Sequence, residues 1–217
     1  LYEFVETYDP ALFERIKGLV KAGKWHIMGG WHVQPDCNIP SGEGFIRQIE
    51  SGLSYFKEKF GIIPTAAVNF DSFGHTQGLV QILSKCGYGG YICCRPMPEF
   101  NPFSANYMEW KGFDGSSVKA ARFEDVSIYT NGLGDAVNAV KGKMKPWNEQ
   151  GEEIAFALWG VGNHGGGASR KDLSELAVFM EEQAEAGVHV FHSTPEAFFA
   201  ASTPKAEWND ALQPCFV

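Results

Sequence analysis

The sequence predicts an α/β fold in which a parallel sheet is covered by helices. Three observations carry this expectation. Short apolar runs of strand length alternate five times with segments whose apolar residues recur at helical spacing. The helical segments open on capping residues and close on glycine. Residues able to do chemistry gather just after the apolar runs, where ligands of such sheets bind.

Each element has its own signal. Asp9-Pro10 is an N-cap followed by a first-turn proline, Leu12, Phe13, Ile16, Leu19 and Val20 share one face, and Gly23 stops the helix. The run 25–30, WHIMGG, reads as a strand. Ser41 caps a helix running to Phe60, with Phe45, Ile46, Ile49, Leu53 and Phe56 inward and Gly61 closing it. A strand over 65–70 and a helix over 78–87 follow, with Thr76 the expected cap, and then a strand over 91–94. Residues 107–123 read as a hairpin turning at Asp114-Gly115. A helix over about 133–147, a strand over 154–160, a helix from Ser169 to Ala186, a strand over 188–191 and a short helix over 195–200 complete the pattern. No repeat, low-complexity tract or linker interrupts it, so residues 1–217 are expected to form one domain.

Composition narrows the function classes. A net charge of -8 argues against a nucleic-acid partner, whose phosphates an acidic surface repels. No apolar stretch reaches the roughly 18 residues that span a bilayer. The opening LYEFVETYD is patterned like folded protein rather than a secretory leader, and it lacks an initiator Met, so further residues are expected upstream. Five cysteines without a C-x-x-C fit neither a disulfide framework nor a zinc ribbon, and Cys93-Cys94 read as core thiols. A reducing, cytoplasmic setting is the expectation.

The rim after the apolar runs holds the candidate site. Asp71, in NFDSFGH, follows the 65–70 strand, and a carboxylate there can act as nucleophile, general base or metal ligand. The plainer alternative is a helix cap, weakened because the next helical pattern begins later. Asp36 and Trp31, in GGWHVQPD, could meet a sugar through hydroxyl hydrogen bonds and ring stacking, or form a surface turn beside a core Trp. Arg95 follows Cys94 and could orient a carboxylate such as Asp71, or be an ordinary surface Arg. Gly160, Gly162 and Gly165 satisfy G-x-G-x-x-G, which raises a dinucleotide-binding oxidoreductase. However, the acid that fingerprint needs about 20 residues on is missing from HVFHST. A glycine turn aiming Asn163 and His164 into a pocket fits the stretch better. His26, His32, His189 and His192 read as structural.

The stretches GGWHVQPDCNIPSGEGFIRQ, NFDSFGHTQGLVQIL and WGVGNHGGGA, in this order, resemble the catalytic domain of glycoside hydrolase family 38, the retaining alpha-mannosidases, in its bacterial-type form. The resemblance runs over most of the chain. It implies an irregular β/α barrel, seven-stranded in the family and only partial here, and hydrolysis of alpha-mannosides with a bound zinc ion. It implies that Asp71 is both the nucleophile and a zinc ligand, that Arg95 is an active-site arginine, and that Trp31 and Asp36 lie where the sugar binds. Asn163 and His164 would contact substrate, His164 being a further candidate for the metal. A retaining enzyme also needs an acid/base carboxyl about 5–5.5 Å from the nucleophile. Asp125, then Glu124, then Asp135 are the candidates, because the first two follow the strand ending near Phe123. Two departures bear on the metal. The family's His-x-Asp zinc pair does not occur in this chain, and Pro214 and Cys215 stand where a further zinc-binding His is expected. The chain therefore reads as an internal fragment cut at both ends, expected to be inactive alone. The alternative of another class is a catalytically silent carbohydrate-binding remnant using Trp31, Asp36 and Arg95.

Overall fold

The computed structural model describes residues 1–96, 106–122, 132–161 and 166–212. Helix α1 (Tyr2–Tyr8) leads into α2 (Pro10–Lys21), where the Asp9 carboxylate accepts from the Leu12 amide at 3.0 Å as the capping pattern requires. Helix α3 (Gly42–Phe60) starts on Ser41, whose hydroxyl accepts from the Gly44 amide, and ends at Gly61. Strand β1 (Ala66–Asn69), helix α4 (Gly78–Lys85) and strand β2 (Gly90–Cys93) follow. Then come the hairpin β3 (Tyr107–Lys111) and β4 (Ser117–Arg122), helices α5 (Ala136–Glu149), α6 (Arg170–Glu185) and α7 (Pro195–Ala201), and strand β5 (Ala206–Trp208). Residue 77, not Thr76, stands at the N-cap of α4, and no side chain caps it.

Among the described residues the sheet has five strands in the order β1-β2-β4-β3-β5. It is mixed rather than purely parallel. β1, β2 and β4 run parallel, the hairpin makes β3 antiparallel to β4, and β5 pairs parallel with β3. The hairpin turns where the sequence indicates: Gly112 donates to the Ser116 carbonyl at 2.8 Å, and Asp114 accepts from the Ser116 amide.

Three expected strands do not form ladders among the described residues. In 25–30, Gly29 and Gly30 both take positive φ (87° and 82°), which turns the chain out of an extended path. Ile27 instead drops among the helices with Ile16, Val20 and Phe56. In 154–160 the side chains divide between two clusters. Ala155, Phe156 and Leu158 pack on the β1–β2 cluster with Trp147, while Ala157 and Trp159 pack between α5 and α6. The Leu158 carbonyl accepts from Lys143 Nζ at 2.7 Å, taking a bond that a neighbouring strand would otherwise provide. In 188–191 only Val190 packs into a cluster, against α5 and α6, and Phe191 is exposed.

Two tight junctions tie helices to the chain around them. Helix α3 crosses the loop at 30–32 so tightly that a Cβ on Gly52 would stand 2.1 Å from the Gly30 carbonyl oxygen. The loop is tied to that helix by His32 N–H donating to the Gln48 carbonyl (3.0 Å) and Val33 N–H donating to Gln48 Oε1 (2.9 Å). The second junction is at α6. Asp172 is fully buried and its carboxylate accepts from the Ala136 and Gly134 amides at the start of α5, and also from the Ser169 hydroxyl and amide at the start of α6. One carboxylate thus caps two helices, and the Ser169 hydroxyl is the first cause holding it below the ordinary carboxylate range.

Candidate active site

Because β1, β2 and β4 are parallel, their last residues, Asn69, Cys93 and Arg122, share one edge of the sheet. Asp71 leaves the end of β1 and Arg95 the end of β2. The Arg95 Nε–H donates to Asp71 Oδ1 at 2.6 Å, a charge-assisted contact. The acid is 46% exposed and the Arg side chain 18%, so the cation lies on the protein side and the carboxylate on the open side. The Arg95 guanidinium carbon also lies 5.3 Å from the centre of the Phe73 ring. The exposed Phe73 and Asp71 therefore bracket Arg95. Asp71 is no helix cap.

Buried polar groups hold this edge in place. Asn69 Nδ2 donates to the Pro35 carbonyl (3.1 Å) and to Cys37 Sγ (2.6 Å), and the Ser72 hydroxyl lies 2.8 Å from both the Pro35 carbonyl oxygen and Asn69 Oδ1. Gln34 Oε1 accepts from the Phe70 amide, and the Phe70 carbonyl accepts from the Cys94 amide. His75 is fully buried; its amide and carbonyl bond Leu212, and its ring bridges Tyr91 and the Arg95 carbonyl. Burial pushes the imidazole down to about 4 and the Cys37 thiol up to about 11, so both stay neutral at pH 7.

The sequence candidates fall as follows. Asp71 and Arg95 meet directly. Asp36 belongs to the loop that Asn69 and Ser72 tie to the β1 end, and its Oδ1 accepts from the Asn38 and Ile39 amides, forming a local turn. Trp31 is 7% exposed, stacks on Tyr88 with ring centres 6.1 Å apart, and donates its indole N–H to the Val68 carbonyl. Asp135 stands at the start of α5 and accepts from Asn138 of that helix. Asp125, Glu124, Asn163 and His164 lie outside the described residues, as do Gly162 and Gly165 of the glycine motif. The sequence reading missed the support: Asn69, His75 and Tyr91. Asn69 and His75 carried a faint signal, polar side chains at the close of an apolar run. Tyr91 carried none, since an aromatic residue in a strand is ordinary.

A zinc ion needs at least three converging protein ligands in most catalytic sites. Among the described residues no group of three or more His, Cys, Asp or Glu stands together, and the nearest partner of Asp71 is a cation. The described donor set does not fit zinc on its own. No helix among these residues is long and apolar enough to cross a membrane.

Comparison with known proteins gives this edge a context. Alpha-mannosidase G of Dictyostelium discoideum is 31% identical over 205 residues, covering 94% of this chain and 18% of that protein. Human alpha-mannosidase 2C1 is 28% identical over 207 residues, covering 94% and 19%. The chain thus spans about a fifth of the length of these relatives. An alpha-mannosidase structure from Enterococcus faecalis V583 superposes with a TM-score of 0.72 at 18% identity, over 95% of this chain and 24% of that one. A 4-alpha-glucanotransferase from Thermococcus litoralis superposes with 0.68 at 15% identity, over 99% and 32%. At such identities the likeness is one of fold. Residues 1–214 match the profile of the Glycosyl hydrolases family 38 N-terminal domain, and the chain belongs to that family.

Proposed function

We propose that this chain is the nucleophile-bearing part of a retaining alpha-mannosidase. The observation that carries the reading is the Asp71 carboxylate, half open at the end of β1 and fixed by Arg95 Nε at 2.6 Å. A nucleophile must approach the anomeric carbon on a rigid support, and a strand end braced by buried hydrogen bonds supplies one. In the first step an Asp71 oxygen forms a bond to the anomeric carbon while the bond to the leaving oxygen breaks. That oxygen takes a proton from a second carboxyl group, for which Asp125 is proposed. In the second step the same group, now a base, takes a proton from water, which displaces Asp71 and returns the sugar with its configuration retained. Arg95 holds the Asp71 rotamer throughout. Asp36, Asn163 and His164 are proposed to meet sugar hydroxyls, with Trp31 forming the floor beneath them. Closure of the sheet into the family's barrel and a cytoplasmic setting belong to the same proposal; the buried free thiols favour a reducing compartment.

Zinc is proposed for the longer protein, with Asp71 one ligand, His164 a second and the remainder from residues outside those described. The test is an aryl alpha-mannoside assay on the full-length protein with stereochemical analysis of the product. Retention, with Asp71→Asn losing roughly three or more decades of kcat, is expected. Ordinary turnover in the Asp71→Asn enzyme would overturn the assignment. The 217-residue chain alone is expected to carry little zinc by elemental analysis and to show no turnover with zinc added. Near-stoichiometric zinc with activity would show that the site is complete within these residues.

A further inference from the structure

His75 is not needed by the chemistry above, yet it is fully buried and makes two directed ring hydrogen bonds. Their directions can be assigned. Nε2 lies 2.9 Å from the Arg95 carbonyl oxygen, which can only accept, so Nε2 carries the hydrogen. Burial keeps the ring neutral, so Nδ1 is a lone pair, and the Tyr91 hydroxyl 2.6 Å away must donate to it. The bonds run one way, from Tyr91 through His75 to Arg95. The last acceptor is the main chain of the residue whose side chain grips Asp71. The His75 main chain is tied on both sides: its amide donates to the Leu212 carbonyl (2.7 Å) and its carbonyl accepts from the Leu212 amide (2.9 Å).

We propose that His75 is a positioning residue for the Asp71 carboxylate: as the Nε2–H tautomer selected by Tyr91, it anchors the Arg95 main chain and so sets where the guanidinium holds Asp71. The strand ladder stops at Cys93, and beyond it the Cys94 amide bonds the Phe70 carbonyl. The His75 bond is the next tie along the chain, and it falls on Arg95 itself. A guanidinium that drifts lets the nucleophile drift, and misplacement of about 1 Å costs on the order of 100-fold in rate.

This inference rests on the proposed function for its kinetic readout but not for its structural one. In the full-length protein, His75→Gln keeps an N–H donor near the Nε2 position, whereas His75→Asn reaches only the Nδ1 position. Expected are near-normal kcat for His75→Gln, a loss of about 10- to 100-fold in kcat with little change in KM for His75→Asn, and a smaller loss for Tyr91→Phe. In an Arg95→Ala background, His75→Asn should cost little more, because the group it positions is gone. Equal losses for Gln and Asn, or losses additive with Arg95→Ala, would reduce His75 to a packing residue and overturn the proposal. Independently of any activity, 15N NMR of histidine-labelled protein should show the His75 signal, identified by its absence in His75→Gln, as the Nε2–H tautomer. Tyr91→Phe should weaken that preference. An Nδ1–H tautomer in the unmodified protein overturns the proposal even if mannosidase activity is found. Absence of that activity with the Nε2–H tautomer present overturns the proposed function alone.

Discussion

The β1–β2 edge and the segment 154–160 use equally apolar sequence to opposite ends. At β1–β2 the side chains are buried and the main chain is laddered on each side of β2, so position is set by hydrogen bonds. In 154–160 the side chains are partly buried and the Leu158 carbonyl accepts from Lys143. Among the described residues no strand ladder includes it, and side-chain packing carries more of its position. Side-chain burial fixes which face a residue presents, but directional bonds are needed to hold a carboxylate within the tolerance that catalysis demands. It follows that the candidate nucleophile sits on the first kind of support.

Hydrogen exchange should separate the two regions most sharply. The Ile92 amide, in β2 with a paired strand on each side, should exchange at least about 1,000-fold more slowly than the amides of 155–159 in this chain. Comparable rates would mean that 154–160 is laddered in solution and that the contrast is false. Side-chain deletion should separate them less. Ile92→Ala, at a fully buried site, should cost about 2–5 kcal/mol in chemical denaturation, and Phe156→Ala, at a partly buried site on the edge of a cluster, about 1–2 kcal/mol despite removing more atoms. A reversal would place the true core around Phe156. The smallest effect concerns α5 and α6, the helices that flank 154–160. The Asp172 carboxylate is stabilised as the anion in the folded chain, so its contribution is present above the ordinary carboxylate value and is lost as pH falls through its lower folded value. Asp172→Asn should therefore flatten the acid limb of the stability–pH profile while lowering stability at neutral pH. An unchanged acid limb would mean the double cap is not formed in solution.

Much of this was legible in the sequence, for identifiable reasons. The helices on Asp9 and Ser41 were readable because a cap is a local event, a side chain three residues from the amide it satisfies. The hairpin was readable through Asp114-Gly115. Strand pairing was not, since WHIMGG and IAFALWG carry strand patterns whose partners no local signal names. At the site, Asp71 and Arg95 stood out because polar residues after apolar runs are conspicuous. Their support stayed hidden. The Asn69–Cys37 and His75–Arg95 contacts join residues 32 and 20 positions apart, and a hydrogen bond leaves no periodicity to read.

Cys37 gives the rim a clock. Its thiol is fully buried beneath the 34–37 loop and shifted up to about 11 by burial, which makes it inert to alkylating reagents in the closed state. Each modification event then requires the loop to lift from Asn69 and Ser72. In the limit where reclosing outpaces chemistry, the labelling rate is the opening equilibrium multiplied by the rate of an unprotected thiol. The residue that helps seat the nucleophile thereby reports, in real time, how often that seat comes loose.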